Sequence, residues 1–312
     1  MTAERYFTRD WNTARAGFRA ACQTLHRDTV QVGTTSHFGR AGEAVIEIAR
    51  LGDPRAPNLL VVCGGDRLAD ALCCSGIETA WLSEFGAARL PPGTGIVLMH
   101  HGAAPATGGE IPPDDQPRPQ WNSDLLAKVE ERYAAYAREK HVDHLGAPLQ
   151  VAAGEGDVSG FSSGILDLAA RPLEVAAKGR LVFLDIAVGL GPFGEAEITA
   201  CHPPGSAGAA RVAACFGLRP PGEDEGEAEH SSDSLTTGLM RRFPQAEVTA
   251  ARAAFGTYSM KSVLDTLAAR DDSRQTPDPR RLLFPDSPEW CDAVWHSAVV
   301  VIQRALSALH HR

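Results

Sequence analysis

The first stretch of the chain places Phe7, Trp11, Ala14, Phe18 and Cys22 at helical spacing, which predicts an amphipathic helix over 6–26. Short runs at 30–32 and 44–49 then predict a hairpin. Residues 58–63 (NLLVVC) are almost continuously apolar, the pattern of a strand buried on both faces, and the Gly64-Gly65 pair ends it. Helical periodicity over 68–85 completes a strand, tight turn and helix, a unit that often carries functional groups in open α/β sheets. A second buried strand over 95–99 leads into His100-His101 and a Gly/Pro-rich excursion over 102–120. Beyond it the pattern predicts a helix over 123–139, a strand over 148–152, a helix over 163–178 and a central strand over 180–187. An acidic, loop-like excursion follows over 220–233, with Ser232 placed to cap the next helix. A strand over 247–253 and helices over 259–270 and 287–309 complete the chain. Strands alternating with helices predict an α/β fold, a mostly parallel, mixed central sheet with helices on both faces, in a single domain over 1–312.

Composition narrows the partners. The 312 residues are 44% hydrophobic and 22% charged, enough to bury a large core. With 30 basic against 39 acidic residues and a net charge of -9, and no block of Lys or Arg, nucleic acid and anionic membrane surfaces are excluded as expected partners. No apolar run approaches the roughly 20 residues of a membrane span, and the charged opening Met1 to Asp10 does not resemble a signal peptide, so a cytoplasmic protein is expected. Seven cysteines without any C-x-x-C spacing suggest reduced thiols. The vicinal pair Cys73 and Cys74 suits packing between a helix and a sheet, with a redox or nucleophilic role as the alternative.

Four passages fall at predicted strand ends: VVCGGDRLADALCCSG, LMHHGAAP, FLDIAVGLGPFG and ARAAFGTY. Together with the late FPDSPEW they resemble the zinc carboxypeptidase superfamily, which includes carboxypeptidase A and aspartoacylase relatives, and most closely a bacterial branch of it. In that branch the passages read V-V-S-G-T-H-G-V-E-G-F-C-G-S, H-A-L-N-P, D-F-H-T-G-L-G-P-x-G and E-F-G-T-Y. The retained Leu190-Gly191-Pro192-x-Gly194 and Phe255-Gly256-Thr257-Tyr258 occur in the expected order. The resemblance implies a zinc carboxypeptidase-like fold. It also implies a zinc ion held by a His and a Glu of the first passage and a His of the third, with the Glu of the last passage as general base. Such a set leaves one position for a water whose pKa falls towards about 7, which the carboxylate deprotonates.

Position by position, most of those jobs lack their residue. The first His position falls on Asp66, and the Glu position on Asp70 if one residue is inserted, or on Ala69 if none is. The insertion brings Cys73, Ser75 and Ile77 into step with the family pattern. The second His position falls on Ala187 and the general base on Ala254. An alanine methyl neither coordinates a cation nor accepts a proton. The family's Arg- and Asn-rich loop after the second passage is replaced by GGEIPPDDQPRPQW, in which Arg118 has no assigned role.

Other candidates stand beside this reading. Asp66, Asp70 and His101 could gather a harder cation such as magnesium or manganese, the alternative being that Asp66 caps a helix and Asp70 faces solvent or an arginine. Asp185 is either a relic that once oriented a ligand or a buried, hydrogen-bonded strand-end carboxylate. His141 and His144 carry ligand-type spacing in a solvated connection, and Cys201-His202 would point to opposite faces of a strand. Gly160-Phe161-Ser162-Ser163-Gly164 satisfies G-x-S-x-G and precedes a helix, which makes Ser162 a candidate nucleophile or a cap. The expectation is a degenerate peptidase-like protein, a binding or regulatory module for a small molecule or protein, with no cofactor required. The alternatives are a re-purposed amide or ester hydrolase or transferase using Asp66, Asp70 and His101 or Ser162, and a structural subunit of an oligomer with an active relative.

Overall fold

The computed structural model describes residues 2–25, 30–39, 42–65, 67–103, 163–218, 235–257 and 283–310. Within them, seven strands form one sheet: β1 (Val30–Gly39), β2 (Gly42–Gly52), β3 (Asn58–Gly64), β4 (Thr94–Ala103), β5 (Arg180–Phe193), β6 (Ala196–Ala200) and β7 (Glu247–Gly256). Their order is β1-β2-β4-β3-β5-β7-β6. The central four, β4, β3, β5 and β7, run parallel, while β1 and β2 on one edge and β6 on the other pair antiparallel. The sheet is therefore mixed and mostly parallel at its centre, as the apolar runs require.

Six α-helices among the described residues cover it: α1 (Trp11–Thr24), α2 (Leu68–Glu84), α3 (Ser163–Ala170), α4 (Ala207–Phe216), α5 (Leu235–Arg242) and α6 (Pro288–His310). The core on one face joins Leu60, Val62, Leu98 and Leu184 to α1, α2, α4 and α6. The other joins Val61, Val97 and Phe183 to α3 and α5. Helix α2 is buried from Leu68 through Leu82, which explains a sequence that is apolar nearly all round. The Asp10 side chain caps α1 by accepting from the Thr13 amide at 2.8 Å, and Gly217, at φ +69°, closes α4.

Three expectations need correction. The helix predicted over 163–178 ends at Ala170 and continues as a 3-10 segment over Arg171–Ala176, because Pro172 has no amide to donate to the helical ladder. The hairpin strands are longer than their apolar cores, and β4 extends through Ala103, so the excursion predicted from 102 begins in a strand. Strand β6 and helix α4 were not predicted. The elements expected over 123–139, 148–152 and 259–270 and the acidic excursion over 220–233 lie outside the described residues.

The motifs retained from the family pattern meet at one joint. The Gly256 carbonyl accepts from the Gly194 amide at 2.8 Å and from the Trp290 indole at 2.9 Å, and the Gly189 carbonyl accepts from both the amide and the hydroxyl of Thr257 at 2.9 and 3.0 Å. A Cβ on Gly256 would overlap the Pro192 carbonyl oxygen. These motifs hold the ends of β5, β7 and α6 together and involve no reactive group.

A buried polar cluster docks α1. His100 lies between the rings of Trp11 and Phe18, each centroid 4.6 Å away, and its Nε2 is 2.9 Å from the Ser75 hydroxyl. Opposite it in the β2–β4 register sits Glu47, whose carboxylate takes hydrogen bonds from Arg15 at 3.1 Å and Arg19 at 2.6 Å. The sequence Ser75, His100, Glu47 has the chemistry of a relay, but all three are at most 2% exposed and the His100 Nδ1 stands 3.9 Å from the carboxylate. Burial at this level, with both arginines of α1 on the carboxylate, fits a cluster that holds α1 to the sheet.

Two predictions follow from these contacts. Gly256→Ala is expected to lower stability by about 1–3 kcal/mol or more, since the clash is with backbone and cannot relax through a side chain, measurable as a fall in the urea midpoint. The second concerns pH. Burial holds the His100 imidazole down to about 3 and His101 to about 4, against an ordinary 6.5. The folded chain binds fewer protons in that window, so the histidines' stabilisation is complete above about pH 6.5 and is lost as pH falls towards 4 and 3. Burial pushes the Glu78 carboxyl well above its ordinary 4.5, with the Cys74 thiol and Met99 backbone offsetting only part of this. Its contribution has the opposite sign: present in full below about pH 4.5 and lost as pH rises. Glu78→Gln should therefore raise stability by about 1–3 kcal/mol at pH 7.5, a gain that shrinks towards pH 4.5 while acid sensitivity below pH 6.5 remains. A gain independent of pH contradicts this assignment.

Candidate functional site

From β3 the chain moves to β4 on one side and later to β5 on the other, so the strand order reverses at β3. The crevice beyond the carboxyl ends of β3 and β5 is where open α/β sheets place their sites. Two glycines shape it. A Cβ on Gly64 would overlap the Ile186 carbonyl oxygen of β5. At Gly65, with φ +145°, a Cβ would lie 2.5 Å from the His101 carbonyl oxygen and 3.1 Å from its ring. Only glycine lets this turn pack against both neighbours.

The turn leads into an ion pair at the start of α2. The Arg67 guanidinium meets Asp70 in a forked arrangement, Nε to one carboxylate oxygen at 2.7 Å and Nη2 to the other at 2.8 Å. The same Nη2 donates to the Val188 carbonyl at 2.6 Å, and the Val188 amide donates to Asp70 at 2.8 Å. Asp70 is 1% exposed, so this geometry replaces its hydration. A carboxylate and a cation thus join α2 to the end of β5.

Beside Val188 the floor of the crevice is bare. Ala187 of β5 and Ala254 of β7 are direct partners in the parallel register. The second ligand position and the general-base position of the resembled family are therefore neighbours, and both end in a methyl. Two residues earlier in the same register, Asp185 pairs with Arg252, with 3.5 Å between them. Asp185 is 7% exposed, a buried carboxylate that lies within β5 rather than at its end, since the strand continues to Phe193.

The described residues at these positions do not fit a zinc ion. Both Asp70 oxygens are taken by Arg67, and the two alanines offer no donor atom. Among the described residues, no three His, Cys, Asp or Glu side chains form a group that could hold a metal. His101 lies against the Gly65 turn, buried and held neutral at pH 7 by its low pKa. Asp66, Arg118, His141, His144 and Ser162 lie outside the described residues. Cys73 and Cys74 are buried in α2, and burial raises both thiols well above 9.0, so neither is poised as a thiolate. His202 accepts the Ala250 amide at its Nε2, 2.9 Å away, an edge-closing role.

Sequence reasoning placed Asp70 against solvent or an arginine without identifying which one. The signal was the i, i+3 spacing of Arg67 and Asp70. It missed Arg252 as the partner of Asp185, Glu47 as the anchor of Arg15 and Arg19, and the buried Glu78. All depend on strand register or helix phase, which single residues do not reveal.

Among solved structures, the chain is similar to the LapA aminopeptidase of Legionella pneumophila, with 8% identity and a TM-score of 0.40 over 98% of this chain and 69% of that one. It is also similar to glutaminyl cyclases of Macrostomum lignano, with 15% identity and a TM-score of 0.46 over 96% and 83% of the two chains, and of Fimbriiglobus ruber, with 10% identity and a TM-score of 0.42 over 95% and 85%. No curated protein matches the chain. No helix among the described residues is long and apolar enough to cross a membrane. The family described as "Protein of unknown function (DUF2817)" matches residues 7–104 and 164–290, more than half of the length, and the chain belongs to that family.

Proposed function

We propose that this protein is a catalytically degenerate relative of the zinc carboxypeptidases, a binding or regulatory module that keeps the scaffold and crevice without metal-dependent hydrolysis. The observation that carries the reading is the Arg67–Asp70 pair. The carboxylate that a one-residue insertion aligns with a metal ligand already has a cation, held through both oxygens and tied to Val188. A metal there would have to displace a buried, forked guanidinium. The adjacent Ala187 and Ala254 support the same reading, since they remove a ligand and the proton acceptor together.

The pair has a structural task in this reading. Arg67→Met leaves Asp70 buried without its cation and is expected to cost about 3–5 kcal/mol, while Arg67→Met with Asp70→Leu should recover much of that loss. Urea unfolding of the single and double variants measures both.

Elemental analysis of protein purified from medium containing zinc, magnesium and manganese should find no stoichiometric metal. A panel of small amide and ester substrates should show no turnover above that of Arg67→Met/Asp70→Leu. A zinc-loaded, active wild type overturns the proposal. Activity that persists without metal and disappears in Ser162→Ala or His101→Gln would replace it with a re-purposed hydrolase.

A further inference from the structure

At the other end of the sheet, away from the crevice, a cavity of about 680 Å³ opens between α4, α6 and the first residues of β5 and β7. Three guanidiniums line it, from elements far apart in sequence: Arg180 at the start of β5, Arg211 of α4 and Arg304 of α6. Arg180 pairs at 3.3 Å with Glu247, itself half-exposed. The other two are held by neutral acceptors. Arg211 donates from Nε to the Thr249 hydroxyl at 3.2 Å and from Nη2 to the Val248 carbonyl at 2.6 Å. Arg304 donates from Nη1 to the Phe216 carbonyl at 2.9 Å. Among the described residues neither forms an ion pair with a carboxylate.

These bonds fix the two side chains without neutralising them. Among the described residues the lining carries three cations and one carboxylate, an excess of two positive charges inside a concavity of a chain whose net charge is -9. Guanidiniums anchored on one edge present their remaining N–H groups at low entropic cost, which suits recognition of an oxyanion. Val182, Leu309 and the 49% exposed Val300 give the wall an apolar part, beside the polar side chains of Gln303 and Ser307. Its volume falls within the range of small-molecule sites.

We propose that this cavity binds a small phosphate monoester with an apolar or aromatic body. The double positive excess matches a phosphate dianion, whereas a single carboxylate would leave one charge uncompensated, and Val182, Val300 and Leu309 give the ester's organic part an apolar surface to cover. The site is separate from the crevice and does not depend on the reading of that crevice.

Isothermal titration at low salt with phenyl phosphate, inorganic phosphate and benzoate tests it. Phenyl phosphate is expected to bind saturably to the wild type, more tightly than either other probe, with an affinity that falls as salt rises. Arg211→Gln/Arg304→Gln should weaken it about tenfold or more through loss of charge-assisted bonds. Val300→Trp, at an exposed position, should weaken it by filling the cavity while leaving the melting temperature unchanged. Arg55→Gln, a similar charge loss at the exposed turn before β3, should have no effect. Absence of saturable binding to the wild type overturns the proposal, as does equal affinity in the Arg211/Arg304 and Arg55 variants. Benzoate binding as tightly as phenyl phosphate overturns the assignment to phosphate.

Discussion

The Arg67 guanidinium connects the two halves of the crevice. It holds Asp70 at the head of α2 and the Val188 carbonyl at the end of β5, while Asp70 in turn accepts the Val188 amide. The turn between β3 and α2 is thereby fixed against a strand from elsewhere in the sequence, and the glycines at 64 and 65 make that approach sterically possible. In a metalloenzyme built on such a scaffold, the ion joins these elements and is also the reagent. Here the cation is part of the polypeptide. A guanidinium has no exchangeable coordination position, so it can join these elements without offering a site for reaction.

The same division appears at the joint of β5, β7 and α6. The glycines and Thr257 that made the family resemblance legible are engaged in backbone hydrogen bonds and close packing, with the Trp290 indole closing the arrangement. Motifs of this kind report the fold faithfully because steric overlap penalises almost every replacement. They say nothing about reactivity. A pattern of this kind can therefore remain recognisable whatever residues occupy the crevice.

What could be read beforehand follows from the same physics. The buried strands were legible because β3 and the first half of β5 are covered on both faces and must be apolar throughout. Strand β6 was not, since its AEITA sequence lies at an edge with no buried residue, and the short, alanine-rich α4 buries only Val212 and Phe216 as large apolar side chains. The break at Arg171 required weighing Pro172 against a helical pattern. At the site, Ala187 and Ala254 were individually visible as missing residues, but their adjacency is a property of register. Arg180, Arg211 and Arg304 leave no local signal because only the folded chain gathers them.

The facing alanines have a consequence for what this scaffold can accept. Two methyl groups on neighbouring parallel strands are the least committed floor a crevice can have: they impose no charge, no hydrogen-bond demand and little bulk. Side chains introduced there would arise side by side from a rigid ladder whose register is set by backbone hydrogen bonds. Such a floor is neutral ground, open to new chemistry by a few point changes that leave the surrounding strands as they are.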